Sequence, residues 1–163
     1  MKTANKVARA IGKGVVAGLA GTAAMTVSST IEAKLRGRTF SDAPARATAK
    51  VLGIKEFEDS RAKARFSDLS HWGYGTSWGI VRAIMREFGL GPKKATPAHF
   101  AAVWGSALVA LPALEVAPPV VFWKKKEIAI DVFHHLVYVA ATGLAYELLS
   151  RQSRADGSAG GNR

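Results

Sequence analysis

The stretch that decides the fold is GVVAGLAGTAAMTVSSTI, residues 14–31, which contains no charged side chain. An α-helix rises about 1.5 Å per residue, so this stretch spans roughly 27 Å, close to the hydrocarbon thickness of a bilayer. Gly14, Gly18 and Gly21 recur at helical spacing, and small residues let helices approach closely within lipid. The stretch therefore predicts a transmembrane helix that packs against other helices.

The rest of the chain repeats this separation of apolar and charged segments. The formal charge is +11, yet residues 95–123 contain no charged side chain except Glu115. We therefore predict an all-α integral membrane bundle over residues 1–150. Its four transmembrane helices are expected at about 14–35, 69–90, 97–121 and 128–149. A polar loop over 36–67 joins the first two helices, and the tail at 151–163 is expected to be disordered.

The second predicted helix carries an unusual histidine- and glycine-rich segment, HWGYGTSWG, residues 71–79. Gly75 and Gly79 lie on one helical face and are expected to admit a neighbouring helix. His135, Tyr138 and Gly143 repeat the spacing of His71, Tyr74 and Gly79. This echo leaves open a two-fold repeat of helix pairs in which both halves have the same orientation.

Several polar residues are expected to share one leaflet, because antiparallel helices bring the end of one beside the start of the next. The predicted polar cluster contains Glu32, His71, Tyr74, Glu115, Asp131, His134, His135 and Tyr138. Hydrogen bonds among these groups would hold the helices together without any turnover. Two alternatives remain open: a metal-binding membrane enzyme with Glu32, His71, Glu115 and His135 as candidate ligands, and a path for protons or ions. No catalytic residue and no cofactor is predicted.

The opposite ends of the helices carry further polar residues. Arg82 is expected to face protein or water, because an arginine in lipid costs about 2.5–3.5 kcal/mol on insertion scales. Arg86 is expected at the interface, where Glu147 is a candidate partner. His99 lies beside Pro97 and is also expected at the interface. The basic residues divide between the two sides of the membrane, so the charge does not fix the orientation.

The charge and the missing motifs restrict the classes of partner. The chain contains no cysteine, which excludes disulfides and thiolate chemistry. It has no nucleophile elbow, phosphate loop or zinc-protease motif. The basic loops suit anionic lipid headgroups, whereas no recognition motif accompanies them to indicate nucleic acid. The expected partners are therefore the lipid bilayer and another membrane protein or a second copy of the chain.

Three segments together carry a resemblance: GLAGTAAMT at 18–26, Arg36-Gly37-Arg38, and HWGYGT at 71–76. With these segments the chain resembles small uncharacterised four-helix integral membrane proteins of high-GC bacteria. The resemblance covers the first half best and continues to the segment His135-Leu-Val-Tyr138. It implies a multi-pass protein of the bacterial plasma (inner) membrane and carries over no activity.

Overall fold

The computed structural model describes residues 2–39 and 41–160, and these form helices joined by short connections. The helices are α1 (Lys2–Arg36), α2 (Ala43–Leu52), α3 (Ser60–Glu87), α4 (Pro92–Ala113) and α5 (Lys125–Gly160). A single 3-10 turn, Val120–Phe122, precedes α5. The described residues contain no strand, so the all-α prediction is confirmed.

The four long helices form an up-and-down bundle. Along α1, Gly14, Gly18 and Thr22 face Gly79, Thr76 and Gly75 of α3 in turn, so the two helices run antiparallel. Ser28 and Arg36 of α1 face His134 and Glu127 of α5, which gives a second antiparallel pair. Thr96 and Trp104 of α4 lie beside Arg82 of α3 and Asp131 of α5 respectively. The chain therefore alternates direction through α1, α3, α4 and α5.

This topology defines two ends of the bundle. The α2 end contains α2 and the connection 114–124, together with the C-terminus of α1 and the N-termini of α3 and α5. The turn end contains the α3–α4 turn at residues 88–91, with the N-terminus of α1 and the C-terminal part of α5. Every residue of the predicted polar cluster lies nearer to the α2 end than Gly79 of α3 and Gly143 of α5 do.

Glycines bring α1 and α3 almost to backbone contact. A Cβ atom on Gly79 would lie 2.2 Å from the Gly14 carbonyl oxygen, and one on Gly18 would lie 2.5 Å from the Thr76 carbonyl oxygen. A Cβ on Gly75 would meet the Thr22 hydroxyl, and one on Gly21 would meet Thr142 of α5. All five glycines named from the sequence thus lie where helices meet, and no other residue fits there without displacing a neighbour.

The interior is rich in small and polar residues, whereas many of the large apolar residues lie outside. The largest fully buried side chains are Arg82, His99, Val139, Thr22 and Thr142. On α1 and α5 the outward residues include Val16, Leu19, Val27, Ile31, Phe133, Leu144 and Leu148. Two helices, Ala4–Arg36 and Lys125–Ser153, are long and apolar enough to span a membrane.

Several boundaries differ from those predicted. α1 contains the predicted span 14–35 and extends it to Lys2, because no proline interrupts the helix in the basic segment before residue 14. The third long helix ends at Ala113 instead of about 121, where Glu115 takes a left-handed conformation with φ 53°. Residues 151–160 continue α5 as a helix instead of forming a disordered tail, and 161–163 lie outside the described residues.

The packing of the two helix pairs is not alike. α1 and α3 meet at Gly14 and Gly79, whereas a Cβ on Gly105 of α4 would meet nothing within 4 Å. By contrast, a Cβ on Gly21 of α1 would meet Thr142 and Tyr138 of α5. α2 also occurs only between the first two long helices. The two-fold repeat of helix pairs is therefore not reproduced in the helix contacts.

Candidate functional site

The carboxylate of Glu32 is the centre of an ion-pair group at the α2 end. Arg36 Nη1 donates to Glu32 Oε1 at 2.9 Å, and Arg38 binds both carboxylate oxygens. Arg36 also donates to Glu127 Oε1 at 2.6 Å, which ties the end of α1 to the start of α5. His134 Nε2 lies 3.7 Å from Glu32 Oε2. Glu32 is thus occupied by two guanidinium groups rather than left open for a ligand.

His71 and His134 each bind a hydroxyl group of α1. The Thr26 hydroxyl donates to the Thr22 carbonyl at 2.7 Å, so His71 Nε2, 2.9 Å from Thr26 Oγ1, is the donor in that pair. In the same way, Ser28 donates to the Met25 carbonyl at 3.0 Å, and His134 Nδ1 donates to Ser28 Oγ at 2.9 Å. These two histidines therefore join α3 and α5 to α1, through hydroxyl groups that lie on different sides of that helix.

Asp131 and His135 form a separate polar group between α5 and α4. Trp104 Nε1 donates to Asp131 Oδ2 at 2.8 Å, which joins the two helices. His135 Nδ1 lies 2.8 Å from the Asp131 carbonyl oxygen and 3.6 Å from Asp131 Oδ2. A carbonyl oxygen only accepts, so His135 Nδ1 carries a proton. Asp131 therefore joins α5 to α4.

The two tyrosines of the predicted cluster have opposite environments. Tyr138 is 2 % exposed, and its hydroxyl donates to the Gly75 carbonyl oxygen at 2.6 Å. Tyr74 is 44 % exposed and contacts Trp78 edge to face, with ring centroids 6.1 Å apart. Only Tyr138 lies in the interior, where it joins α5 to the backbone of α3.

Glu115 lies away from the other members of the predicted cluster. It follows the end of α4 and pairs with Lys50 of α2, with Lys50 Nζ 2.9 Å from Glu115 Oε2. The Lys50 ammonium lowers the pKa of the Glu115 carboxyl below its ordinary value. The side chain is largely exposed, so this pair holds α2 to the connection after α4 only weakly.

The predicted cluster is therefore divided into separate pairs rather than gathered at one point. The four candidate metal ligands have different partners: Glu32 binds arginines, His71 binds Thr26, Glu115 binds Lys50 and His135 binds the Asp131 backbone. Within residues 2–39 and 41–160, no group of three or more metal-ligating side chains is placed to hold an ion.

A second polar group lies at the turn end, where two arginines meet one carboxylate. Arg82 Nη1 donates to Thr96 Oγ1 at 3.0 Å, and its Nη2 lies 3.5 Å from Glu147 Oε1. Arg86 Nη2 donates to Glu147 Oε2 at 3.1 Å. Arg82 is 1 % exposed, and Gly143 leaves the space that its guanidinium fills. The sequence indicated both the inward position of Arg82 and the pairing of Arg86 with Glu147.

His99 is a buried residue that the sequence did not reveal. Instead of reaching the interface, its side chain is fully buried, with Nε2 2.9 Å from the Trp78 carbonyl oxygen. Its ring lies 5.8 Å from that of Tyr138, so one α4 residue contacts both α3 and α5. The nearby proline suggested a helix end, but α4 already begins at Pro92. His99 therefore lies about two turns inside the helix.

Comparison of the chain with family models, curated proteins and solved structures gives no match. The site must therefore be interpreted from its own geometry. His71, His99, His134 and Tyr138 each direct a hydrogen bond to a carbonyl or hydroxyl group of another helix, which fixes these side chains between helices. The hydrogen bond of His135 stays within α5. This arrangement suits helix association better than proton exchange with a substrate.

Proposed function

We propose that the chain is a four-span α-helical protein of a bacterial plasma membrane that acts as a structural or partner-binding subunit. The observation that carries this proposal is the distribution of residues between interior and surface. Arg82, His99 and Thr142 are fully buried, whereas Leu144 is 64 % exposed and Val27 59 % exposed. Soluble monomers rarely leave large contiguous apolar surfaces in water, whereas helix bundles in lipid turn polar groups inward.

The close helix contacts support the same environment. In lipid, apolar side chains gain nothing by leaving the solvent, so helices associate through close packing and interhelical hydrogen bonds. The contacts of Gly14 and Gly18 with α3 supply the close packing. His71, His134 and Tyr138 supply the interhelical hydrogen bonds. Both replace the large apolar core that a soluble bundle of this length requires.

α3 and α4 are proposed to span the membrane as well, although among the described helices only α1 and α5 are long and apolar enough by themselves. α3 contains Arg82 and Arg86, and both contact Glu147 instead of facing outward. Pairing lowers the cost of an arginine at membrane depth. α4 runs for 22 residues and is about 33 Å long, enough to cross a bilayer.

α2 is proposed to lie on the membrane surface. It has no buried residue, and Val51 and Leu52 are exposed. Its basic residues Arg46 and Lys50 lie near the carboxylates of Asp42 and Glu115 respectively. An amphipathic helix of this kind suits the headgroup region, where anionic lipids attract cationic side chains.

A pair of lysine substitutions tests the membrane proposal. Leu144→Lys changes an exposed residue within α5, whereas Leu52→Lys changes an equally exposed residue on α2. In lipid, a lysine near the middle of α5 costs about 2.5–3.5 kcal/mol of insertion, so Leu144→Lys is expected to reduce the membrane-inserted fraction severalfold while Leu52→Lys does not.

The measurement is the fraction of protein that resists extraction by alkaline carbonate. The parent chain and Leu52→Lys are expected in the membrane pellet. If the parent chain is extracted, or if Leu144→Lys is as soluble and as stable as the parent in water, the proposal is wrong, because an exposed lysine is harmless on a soluble protein.

A proton or ion conduit is the second candidate, and a row of polar contacts along α3 favours it. In the first half of the row, His71 contacts Thr26, and the Gly75 carbonyl contacts Tyr138. In the second half, the Trp78 carbonyl contacts His99, and Arg82 contacts Glu147. The buried positive charge of Arg82 opposes the entry of cations. Proton flux into liposomes that contain the protein tests this candidate function. Flux equal to that of empty liposomes would contradict a conduit, and flux that Tyr138→Phe abolishes would support one.

A further inference from the structure

The charges at the turn end do not balance. Arg82 and Arg86 both contact Glu147, and no other carboxylate lies within ion-pair distance of either guanidinium among the described residues. The neighbouring Glu87 is paired with Lys6 of α1 at 2.9 Å. One carboxylate therefore serves two guanidinium groups, and a positive charge is left at a site largely removed from water.

The hydrogen bonds are also incomplete. Arg82 is 1 % exposed, yet its Nε has no acceptor among the described residues. Arg86 Nε lies 2.8 Å from Glu147 Oε1 at an angle that makes no hydrogen bond. A buried guanidinium with an unused donor is costly unless another acceptor approaches. An acceptor with negative charge would complete both the charge balance and the hydrogen bonds of this site.

The N-terminus of α4 lies directly beside these arginines. Arg86 Nη1 donates to the Leu90 carbonyl oxygen, one residue before the N-cap Gly91. Arg82 reaches Thr96 in the second turn of α4. No side chain caps this helix end, and the exposed residues Lys93 and Lys94 lie in its first turn. Pro92 has no N–H and the Lys94 N–H binds the Gly91 carbonyl at 3.0 Å, so this helix end attracts an anion through the Lys93 N–H and the helix dipole.

We propose that the α3–α4 turn binds a phosphate oxyanion, either of a lipid headgroup or free in solution. Arg86, which is partly exposed, binds the phosphate directly, and the exposed Lys93 and Lys94 add positive charge on the solvent side. Buried Arg82 adds positive charge from the interior of the bundle. Guanidinium groups bind phosphate through paired, charge-assisted hydrogen bonds, so this set of donors fits the ligand in charge and in geometry. Glu147 competes with the phosphate for both arginines.

The experiment uses the full chain purified in an uncharged detergent. Binding is measured by native mass spectrometry or titration with phosphatidylglycerol, with phosphatidylcholine as the lipid control. Inorganic phosphate is tested in parallel against chloride at equal ionic strength. Phosphatidylglycerol binding without phosphate binding assigns a lipid headgroup, and the reverse assigns free phosphate. If neither ligand binds more tightly than its control, the inference is wrong.

Four variants tie the binding to this place in the fold. Arg86→Gln is expected to weaken binding about tenfold or more, and Lys93→Gln, an exposed change that does not threaten folding, severalfold. Glu147→Gln removes the competing carboxylate and is expected to tighten binding. Arg46→Gln on α2 is the control and leaves binding unchanged, because Arg46 already pairs with Asp42 at the opposite end.

The pattern among these variants decides the inference even if one of them fails to fold. Equal weakening in Lys93→Gln and Arg46→Gln would show non-specific attraction to the basic surface and contradict the site. Weaker binding in a folded Glu147→Gln would contradict the proposed competition. The inference does not depend on the membrane proposal, because inorganic phosphate tests the same donors in water and carbonate extraction tests the membrane separately.

Discussion

Gly14 and Gly79 hold α1 and α3 at backbone distance, since a Cβ on Gly79 would lie 2.2 Å from the Gly14 carbonyl oxygen. Gly79→Ala is therefore expected to separate the helices and lower the free energy of unfolding by about 1–3 kcal/mol. Thermal unfolding followed by circular dichroism in detergent measures the change.

Gly73 supplies the matched control on the same helix. A Cβ there would meet nothing within 4 Å, so Gly73→Ala is expected to raise stability by about 0.5–1 kcal/mol through helix propensity. If both alanine variants change stability in the same direction, close packing at Gly79 is not what holds α1 to α3.

Tyr138→Phe tests the hydrogen bond that joins α5 to the backbone of α3. The change removes the donor to the Gly75 carbonyl, which is then left without this partner in the interior. The expected loss is about 1 kcal/mol of unfolding free energy. Tyr74→Phe is the control, because Tyr74 is 44 % exposed. The free energy of unfolding of this variant is expected to stay within about 0.5 kcal/mol of the parent value. Equal effects would contradict the structural role of Tyr138.

Glu115 occupies the position that glycine takes at three other helix ends. Gly37, Gly53 and Gly89 follow α1, α2 and α3 with positive φ, and Glu115 follows α4 with φ 53°. The Val116 N–H binds the Leu111 carbonyl at 2.8 Å, as in a Schellman motif. Glu115→Gly is therefore expected to raise the unfolding free energy by about 1 kcal/mol relative to Glu115→Ala. A glycine variant no more stable than the alanine variant would contradict the left-handed conformation.

The pKa of Glu115 tests the contact between α2 and the end of α4. Lys50 lowers this pKa below the ordinary 4.5, so the pair stabilises the fold above that pH and the gain is lost as pH falls through the folded-state pKa. An NMR titration is expected to place the midpoint below 4.5, and Lys50→Gln is expected to return it toward that value. Lys55→Gln, which changes an exposed lysine between α2 and α3, is expected to leave the pKa of Glu115 unchanged.

The helix contacts were the part of the fold most readily predicted from the sequence. Gly14, Gly18 and Gly21 recur on one face of an apolar run, and this spacing alone places them at a helix interface. The end of α4 was predicted too late, because Glu115 gives no glycine signal where the chain turns. Helix ends depend on local backbone conformation, which hydrophobicity does not encode.

The polar pairs were predicted less completely than the glycines. Alternating helix direction brought Glu32 and His134 to the same end of the bundle, and they lie 3.7 Å apart. It did not reveal that His71 binds Thr26 or that Tyr74 faces outward, because these depend on the rotation of α3 about its axis. The burial of His99 likewise depends on contacts from two other helices, to the Trp78 carbonyl and the Tyr138 ring.

The central claim, four membrane spans, is tested most directly by the accessibility of single cysteines, which the cysteine-free chain permits. Lys55→Cys and Lys124→Cys place a thiol at the α2 end, and Lys94→Cys places one at the turn end; all three lysines are exposed. A membrane-impermeant maleimide, added to sealed right-side-out vesicles, is expected to label positions 55 and 124 alike and position 94 oppositely. Labelling of all three positions from one side would leave only α1 and α5 as spans and contradict the claim.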